Sequence, residues 1–179
     1  MIAEDEVFWV FGYGSLMWRP GFDFLECYPA ELNGYHRSLC VYSHVHRGTE
    51  EKPGLVFGLD QGGSCKGFAF AVAPENWQQT VDYLRAREQV TSVYIEHQQE
   101  ITLVGNPARK VTALTYLVDR QHRQYAGRLS LEEQLEFIHQ GQGQSGNCRD
   151  YVLSAHQHLL ELSVNDREIQ ALANALTLP

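Results

Sequence analysis

Lys66-Gly67-Phe68-Ala69-Phe70-Ala71-Val72-Ala73 is the stretch on which the fold class turns. Phe68, Phe70 and Val72 alternate with Gly67, Ala69 and Ala71, and a period of two belongs to a strand. Large side chains facing in and small ones facing out suit a tightly curved, barrel-like sheet. Pro74 closes the run and fits the first position of a helix. Upstream, Gly54–Leu59 and Leu39–Ser43 read as strands, and the apolar run Val7–Gly12 reads as a buried strand that stops at a Gly-Tyr-Gly turn. Downstream, Val93–Val104 and Lys110–Val118 add two more, with Asn106-Pro107 as the turn between them. Three further helices are expected. The first starts at Ser130, with Glu133 completing a capping box, and stops at Gly141. The others cover Arg149–Leu162 and Asp166–Leu176, the last capped by Asn165. Strands, one helix, two strands and three helices do not alternate as βαβα. The expectation is one α+β domain over residues 1–179, a mostly antiparallel, barrel-like sheet with flanking helices.

Composition narrows the functions open to such a domain. The chain has 179 residues, 44% hydrophobic and 20% charged, which is enough for a core and gives no case for disorder. At this size roughly 70% of the unfolded surface can be buried without disulfides or metal. Lys and Arg number 14 against 22 Asp and Glu, a formal charge of -8. That argues against nucleic-acid partners, which need a basic face, and against anionic membranes. No stretch approaches the roughly 18 apolar residues of a membrane span. Met1–Glu6 holds three acidic residues and no basic one, unlike a secretory signal. Cys27, Cys40, Cys65 and Cys148 are scattered, with no C-x-x-C spacing, and read as thiols of a reducing compartment. The expectation is a soluble cytoplasmic protein with a small-molecule partner. No oligomeric state follows from the residues.

Glu88 is the most informative candidate. On the helix after Pro74, Trp77, Val81 and Leu84 recur at spacings of four and three, and the next step of four lands on Glu88. Glu75 and Asp82 fall off that stripe. A carboxylate that extends an apolar face, near a helix C-terminus where the macrodipole disfavours negative charge, has its pKa pushed up, as a general base near neutral pH requires. The plainer reading is that the helix frays at Arg87 and Glu88 reaches solvent.

Gly12-Tyr13-Gly14-Ser15-Leu16 is the second candidate. A strand running into a loop with two glycines can point successive N–H groups at a carboxylate or oxyanion. No Gly-Lys-Ser/Thr follows, and Ser15 is not centred in G-x-S-x-G, so neither a P-loop nor a nucleophile elbow fits. The plainer reading is a tight turn. Gly141-Gln142-Gly143-Gln144-Ser145-Gly146 follows a helix rather than a strand and reads as a helix-ending loop, not a dinucleotide fingerprint. His44-x-His46 and His156-x-His158 match no metal spacing, and no metal site is expected. Tyr151 is either a core aromatic or a pocket hydroxyl.

Taken together these residues resemble the ChaC-type γ-glutamylcyclotransferases, the glutathione-specific enzymes of the γ-glutamylcyclotransferase-like fold. Trp9-Val10-Phe11-Gly12-Tyr13-Gly14-Ser15-Leu16-Met17-Trp18-Arg19-Pro20 is similar to the family's opening. His46-Arg47-Gly48, Pro53-Gly54, Tyr83-Leu84-Arg85-Ala86-Arg87-Glu88 with Tyr94, and Ser145-Gly146 with Tyr151 follow in the family's order. The resemblance covers Val7 to Tyr151. It implies cofactor-free cleavage of glutathione to 5-oxoproline and Cys-Gly, with Glu88 as catalytic acid/base. It also implies substrate binding by Val10, Phe11, Gly12, Tyr13, Gly14, Ser15 and Leu16, with Gly12–Leu16 gripping the γ-glutamyl group, and by Tyr151. Two departures bear on the rest of the substrate. Ser92-Val93 stand where the family usually has two glycines, and Asn147-Cys148 where it commonly has His-Asn. The alternatives are action on other γ-glutamyl amines or dipeptides, a non-catalytic binder of small carboxylates, and an interaction domain using its acidic surface. Glu88 speaks against the last, because such a domain has no reason to extend an apolar stripe with a carboxylate.

Overall fold

The computed structural model describes residues 7–105 and 107–179. Met1–Glu6, read above as no secretory signal, and Asn106 of the expected turn lie outside the described residues. The elements are β1 (Phe8–Gly12), a 3-10 turn (Ser15–Met17), β2 (Glu26–Ser43), β3 (Gly54–Val72), α1 (Pro74–Glu88), β4 (Tyr94–Leu103), β5 (Arg109–Val118), α2 (Leu131–Gln140), β6 (Gln142–Gly143), β7 (Gly146–Asn147), α3 (Cys148–Glu161) and α4 (Arg167–Thr177). Strands β1 to β5 close into a barrel in the order β1-β3-β2-β4-β5, the expected α+β architecture. β1 runs antiparallel to β3 and parallel to β5, and β4 is antiparallel to both β2 and β5.

Two strands are longer than their patterns announced. β2 begins at Glu26 rather than Leu39, and β3 joins Gly54–Leu59 to Lys66–Ala73 in one run that ends at Val72. The interruption in β3 was Asp60-Gln61-Gly62-Gly63, which has turn composition. Gly62 and Gly63 take φ of +100° and +66° inside the strand, bending it without ending it.

The alternation in β3 is real, but its sense is reversed. Register pairs Val10 with Phe70 and with Leu114, and these residues join Val72 and Tyr116 in a core cluster with Val81 and Leu84 of α1. The other face pairs Trp9 with Ala71 and Ala113, and Phe11 with Ala69. Five strands leave an interior with room only for side chains, so the face covered by α1 is the outside. Phe70 and Val72 therefore point outward under α1, and Ala69 and Ala71 point inward, where Trp9 and Phe11 fill the barrel. Both faces are buried. Gly67 is required by this closeness, since a Cβ there would stand 2.3 Å from the Gly12 carbonyl oxygen and 2.8 Å from the Phe11 ring.

The described chain forms two compact units. One takes residues up to Arg37 together with Leu59–Asp119, and the other takes Ser38–Gly58 together with Arg120–Pro179. In the first, α1 buries Thr80, Val81 and Leu84, and Trp77 stacks on Phe8 with ring centroids 4.7 Å apart. In the second, α2, α3 and α4 pack on one another. The expected capping box opens α2: Glu133 N–H donates to Ser130 Oγ (3.2 Å) and Ser130 N–H to Glu133 Oε2 (2.8 Å). The cap of α4 is Asp166, not Asn165. Its carboxylate accepts from the Ile169 N–H three residues on, the reach a cap needs.

Candidate active site

α1 does not fray at Arg87. It continues through Glu88, whose side chain is 19% exposed, and ends at Gln89. Burial pushes the Glu88 carboxyl above the ordinary carboxylate range, and the Arg87 guanidinium, with Nε 3.6 Å from Glu88 Oε1, works against that shift. The group stands at the negative end of the α1 dipole, which acts in the same direction as burial. On neighbouring β5, Tyr116 donates to Glu96 Oε2 of β4 (3.0 Å), and Arg85 grips Glu96 with two 2.9 Å bonds. The Tyr116 phenol is held well above its usual range, first by burial, then by Glu96 and by the charge of Glu88.

The loop after β1 is pinned from below by Arg37, which is 5% exposed. Its guanidinium donates to the Tyr13 carbonyl and to the Lys66 carbonyl (2.6 Å), with Met17 sulfur 3.8 Å away. A trans peptide points its C=O and N–H in opposite directions. Holding the Tyr13 carbonyl toward Arg37 therefore turns the Gly14 N–H the other way. The chain then tightens into the 3-10 turn, with Met17 N–H on Gly14 O (3.0 Å) and Arg19 N–H on Ser15 O (2.7 Å). Tyr13 and Leu16 are buried and anchor the loop, whereas Gly14 and Ser15 are partly exposed. Val10 and Phe11 are enclosed in the sheet at 0% and 1% exposure, and the Phe11 carbonyl accepts from Thr115 Oγ. Gly14 has φ of −127° and open space where a Cβ would stand, so neither a left-handed backbone nor a crowded neighbour requires glycine there. Gly12 is the crowded one, with a Cβ only 2.9 Å from Leu16 Cβ.

Arg87 joins the two candidates. Its Nη2 donates to Ser15 Oγ at 2.6 Å, and its Nη1 donates to the carbonyls of Arg19 (2.7 Å) and Pro20 (3.2 Å) and to the Tyr83 hydroxyl (3.0 Å). The structure thus brings Ser15 and the end of α1, with Glu88, to one place. The patterns missed Arg37 and Arg87. Only the Tyr83–Arg87 spacing of four, one step before Glu88, could have drawn attention to the second.

Tyr151 lies in the other unit, on α3. Its hydroxyl accepts from the Phe57 N–H (3.2 Å), its ring packs on Phe57, and the Arg47 guanidinium lies 5.1 Å from the ring centroid. Arg47 also donates to the Ser145 carbonyl (2.7 Å), and His46 Nδ1 shares a 2.9 Å hydrogen bond with Ser145 Oγ. The His46-Arg47 and Ser145 pieces, 98 to 99 residues apart in the chain, meet here. The glycine loop between α2 and α3 is the short ribbon β6–β7 rather than plain loop. The two departures have structural employment. Asn147 caps α3 by accepting from Asp150 N–H (2.7 Å), and Cys148 bonds both the N–H and the carbonyl of Leu55. Ser92 adopts φ of +58°, a conformation glycine takes freely. Among the described residues no group of three His, Cys, Asp or Glu side chains could hold a metal ion.

A small closed barrel bearing a mostly buried helix-end carboxylate, next to an arginine-pinned glycine loop, defines the class: proteins of the γ-glutamylcyclotransferase fold. The yeast enzyme described as a γ-glutamyl cyclotransferase specific to glutathione has this fold, with a TM-score of 0.85, 22% identity and 96% of each chain covered. The family model described as "ChaC-like protein" matches residues 8–177, and the chain belongs to that family. A glutathione-specific γ-glutamylcyclotransferase of Escherichia coli K12 is 32% identical over 88% of this chain and 68% of its own. γ-Glutamylcyclotransferase 2-1 of Arabidopsis thaliana is 32% identical over 94% and 81%, and the human glutathione-specific γ-glutamylcyclotransferase 1 is 29% identical over 97% and 80%. No described helix is long and apolar enough to cross a membrane.

Proposed function

We propose that this chain cleaves glutathione to 5-oxoproline and Cys-Gly by intramolecular attack of the γ-glutamyl α-amine on its own γ-carbonyl. The observation that carries the reading is Glu88, a carboxylate on the apolar stripe of α1, mostly buried and with a raised pKa, tied through Arg87 to the Gly12–Leu16 loop. Relatives of the same family named for glutathione support the substrate.

Three tasks follow from the chemistry. The α-amine is an ammonium at neutral pH and must shed a proton with pKa near ~8 before it can attack. Glu88 takes that proton, the attacking nitrogen sheds a second as it bonds to the γ-carbon, and the departing nitrogen takes up both as Cys-Gly leaves with its amine protonated, so the protons balance and no cofactor enters. The tetrahedral intermediate carries an oxyanion. The Gly14 N–H, aimed away from Arg37, and the Ser15 hydroxyl are the donors offered to that oxyanion or to the substrate α-carboxylate, and losing one such donor costs ~10²–10³ in rate. Within the Val10–Leu16 segment, Gly14 and Ser15 are the partly exposed residues and offer the substrate their N–H groups and the Ser15 side chain, while the enclosed Val10, Phe11, Gly12, Tyr13 and Leu16 hold the loop in place. The substitutions at Ser92-Val93 and Asn147-Cys148 keep action on other γ-glutamyl amines or dipeptides as the second reading.

The test is 5-oxoproline release from glutathione and, separately, from γ-glutamyl dipeptides. Release from glutathione at the higher kcat/KM supports the reading. Release only from the dipeptides selects the second reading, and release from none leaves a binder of small carboxylates.

A further inference from the structure

We infer that Arg87 is a positioning residue of this site: it fixes the Ser15 hydroxyl as a donor toward the γ-glutamyl group and clasps the Ser15–Pro20 segment to the end of α1. The inference rests on the function proposed above for what Ser15 meets, and on geometry alone for the clasp. A guanidinium carries five donors and no acceptor. At 2.6 Å from Arg87 Nη2, Ser15 Oγ is therefore the acceptor, and the hydroxyl hydrogen is left pointing away from the cation. A hydroxyl polarised in this way is a stronger donor to an anion. The other limb of the fork serves two successive carbonyls, of Arg19 and Pro20, in the segment between the 3-10 turn and β2, and braces itself on the Tyr83 hydroxyl one turn back on the same helix. One planar group thus meets four acceptors on two segments, a task a lysine ammonium cannot perform.

A double-mutant cycle tests the action through Ser15. In the wild-type background Ser15→Ala should lower kcat/KM on glutathione ~10-fold or more, the loss of one hydrogen bond to a charged group. With Arg87→Met already present, the hydroxyl is no longer held, and Ser15→Ala should cost less than about 3-fold. Equal losses in the two backgrounds overturn the inference, and a merely structural Arg87 would produce that result. Amide hydrogen exchange tests the clasp without activity. In Arg87→Met the Ser15–Arg19 amides should exchange about 10-fold faster while the β4–β5 hairpin keeps its rate. Arg87→Lys, which keeps the charge beside Glu88, should show the same local loosening, and wild-type exchange in both variants overturns the clasp. Should wild-type protein release no 5-oxoproline from any γ-glutamyl compound, the proposed function falls, and the exchange measurement still decides the clasp.

Discussion

Glu88 is a mostly buried carboxylate, and its ionised form costs stability. Its folded pKa is raised, so the protonated form is favoured by folding and the ionised form is penalised. Below the ordinary carboxylate pKa, Glu88 is neutral in both folded and unfolded chains, and no penalty exists. As pH rises from the ordinary carboxylate pKa through the raised folded pKa, the penalty builds to its full size. Glu88→Gln should therefore melt higher than wild type at pH 7–8, by roughly 2–4 °C for each kcal/mol relieved in a chain of this size, and lose that advantage below about pH 4. The same variant should lower kcat by ~10²–10⁴, since the amide accepts no proton from the ammonium. A variant that keeps more than about a tenth of wild-type kcat would remove Glu88 from the role of general base. The glycines separate in the same manner. Gly67→Ala meets the Gly12 carbonyl and the Phe11 ring and should lower the melting temperature. Gly14→Ala meets no neighbouring atom in the free protein, yet should cost more kcat/KM than Ser15→Ala if the γ-glutamyl chain fills that space. Unchanged kinetics in Gly14→Ala would place the substrate elsewhere.

At the scale of elements, helix ends and strand bends carry information that local composition blurs. Asn165 and Asp166 are both good capping residue types, and the carboxylate that reaches Ile169 N–H belongs to Asp166. Asp166→Ala should destabilise by ~1 kcal/mol, whereas Asn165→Ala should stay within ~0.5 kcal/mol, and chemical denaturation of the two variants distinguishes them. The segment from α1 to β4 holds a second test. Ser92 occupies a left-handed backbone conformation at a position where the ChaC pattern has glycine. Ser92→Gly should leave the fold intact and raise stability by up to ~1 kcal/mol, and a destabilised variant would mean that the hydroxyl holds the turn. β3 teaches the complementary lesson. Its period-two pattern located the strand correctly but did not reveal its orientation, because both faces are buried and large residues are wanted on whichever face has room.

For the molecule as a whole, the acidic balance and the ChaC-like match over residues 8–177 agree on small-molecule chemistry. The proposed proton transfers through Glu88 ask nothing of a metal. EDTA should therefore leave 5-oxoproline release unchanged, and activity lost to a chelator and restored by one particular metal would overturn that mechanism. β1, from which the glycine loop springs, is paired with β3 on one side and β5 on the other, and Arg37 ties the loop to Lys66 in β3. Much of this was legible beforehand: the element order, the Ser130 capping box, and the placing of Glu88 on the apolar stripe. The beginning of β2 was not, because Glu26-Cys27-Tyr28-Pro29 mixes polar residues with a proline on a strand whose pairing comes from β4, about 70 residues away in the chain.

What the sequence alone determined were the features set by near neighbours: helix periodicity, the cap at Ser130, the glycine loop after an apolar strand, and the carboxylate in line with Trp77, Val81 and Leu84. These depend on three- and four-residue spacings, which the chain carries with it. Tertiary structure alone decided which face of β3 is inside, why Gly67 and not Gly14 is sterically obligatory, and that Arg37 and Arg87 grip the loop from two sides. Those outcomes depend on strand closure and on contacts 24 to 72 residues apart in the chain. The partners of a buried cation are chosen by the space and the unsatisfied carbonyls that folding creates around it.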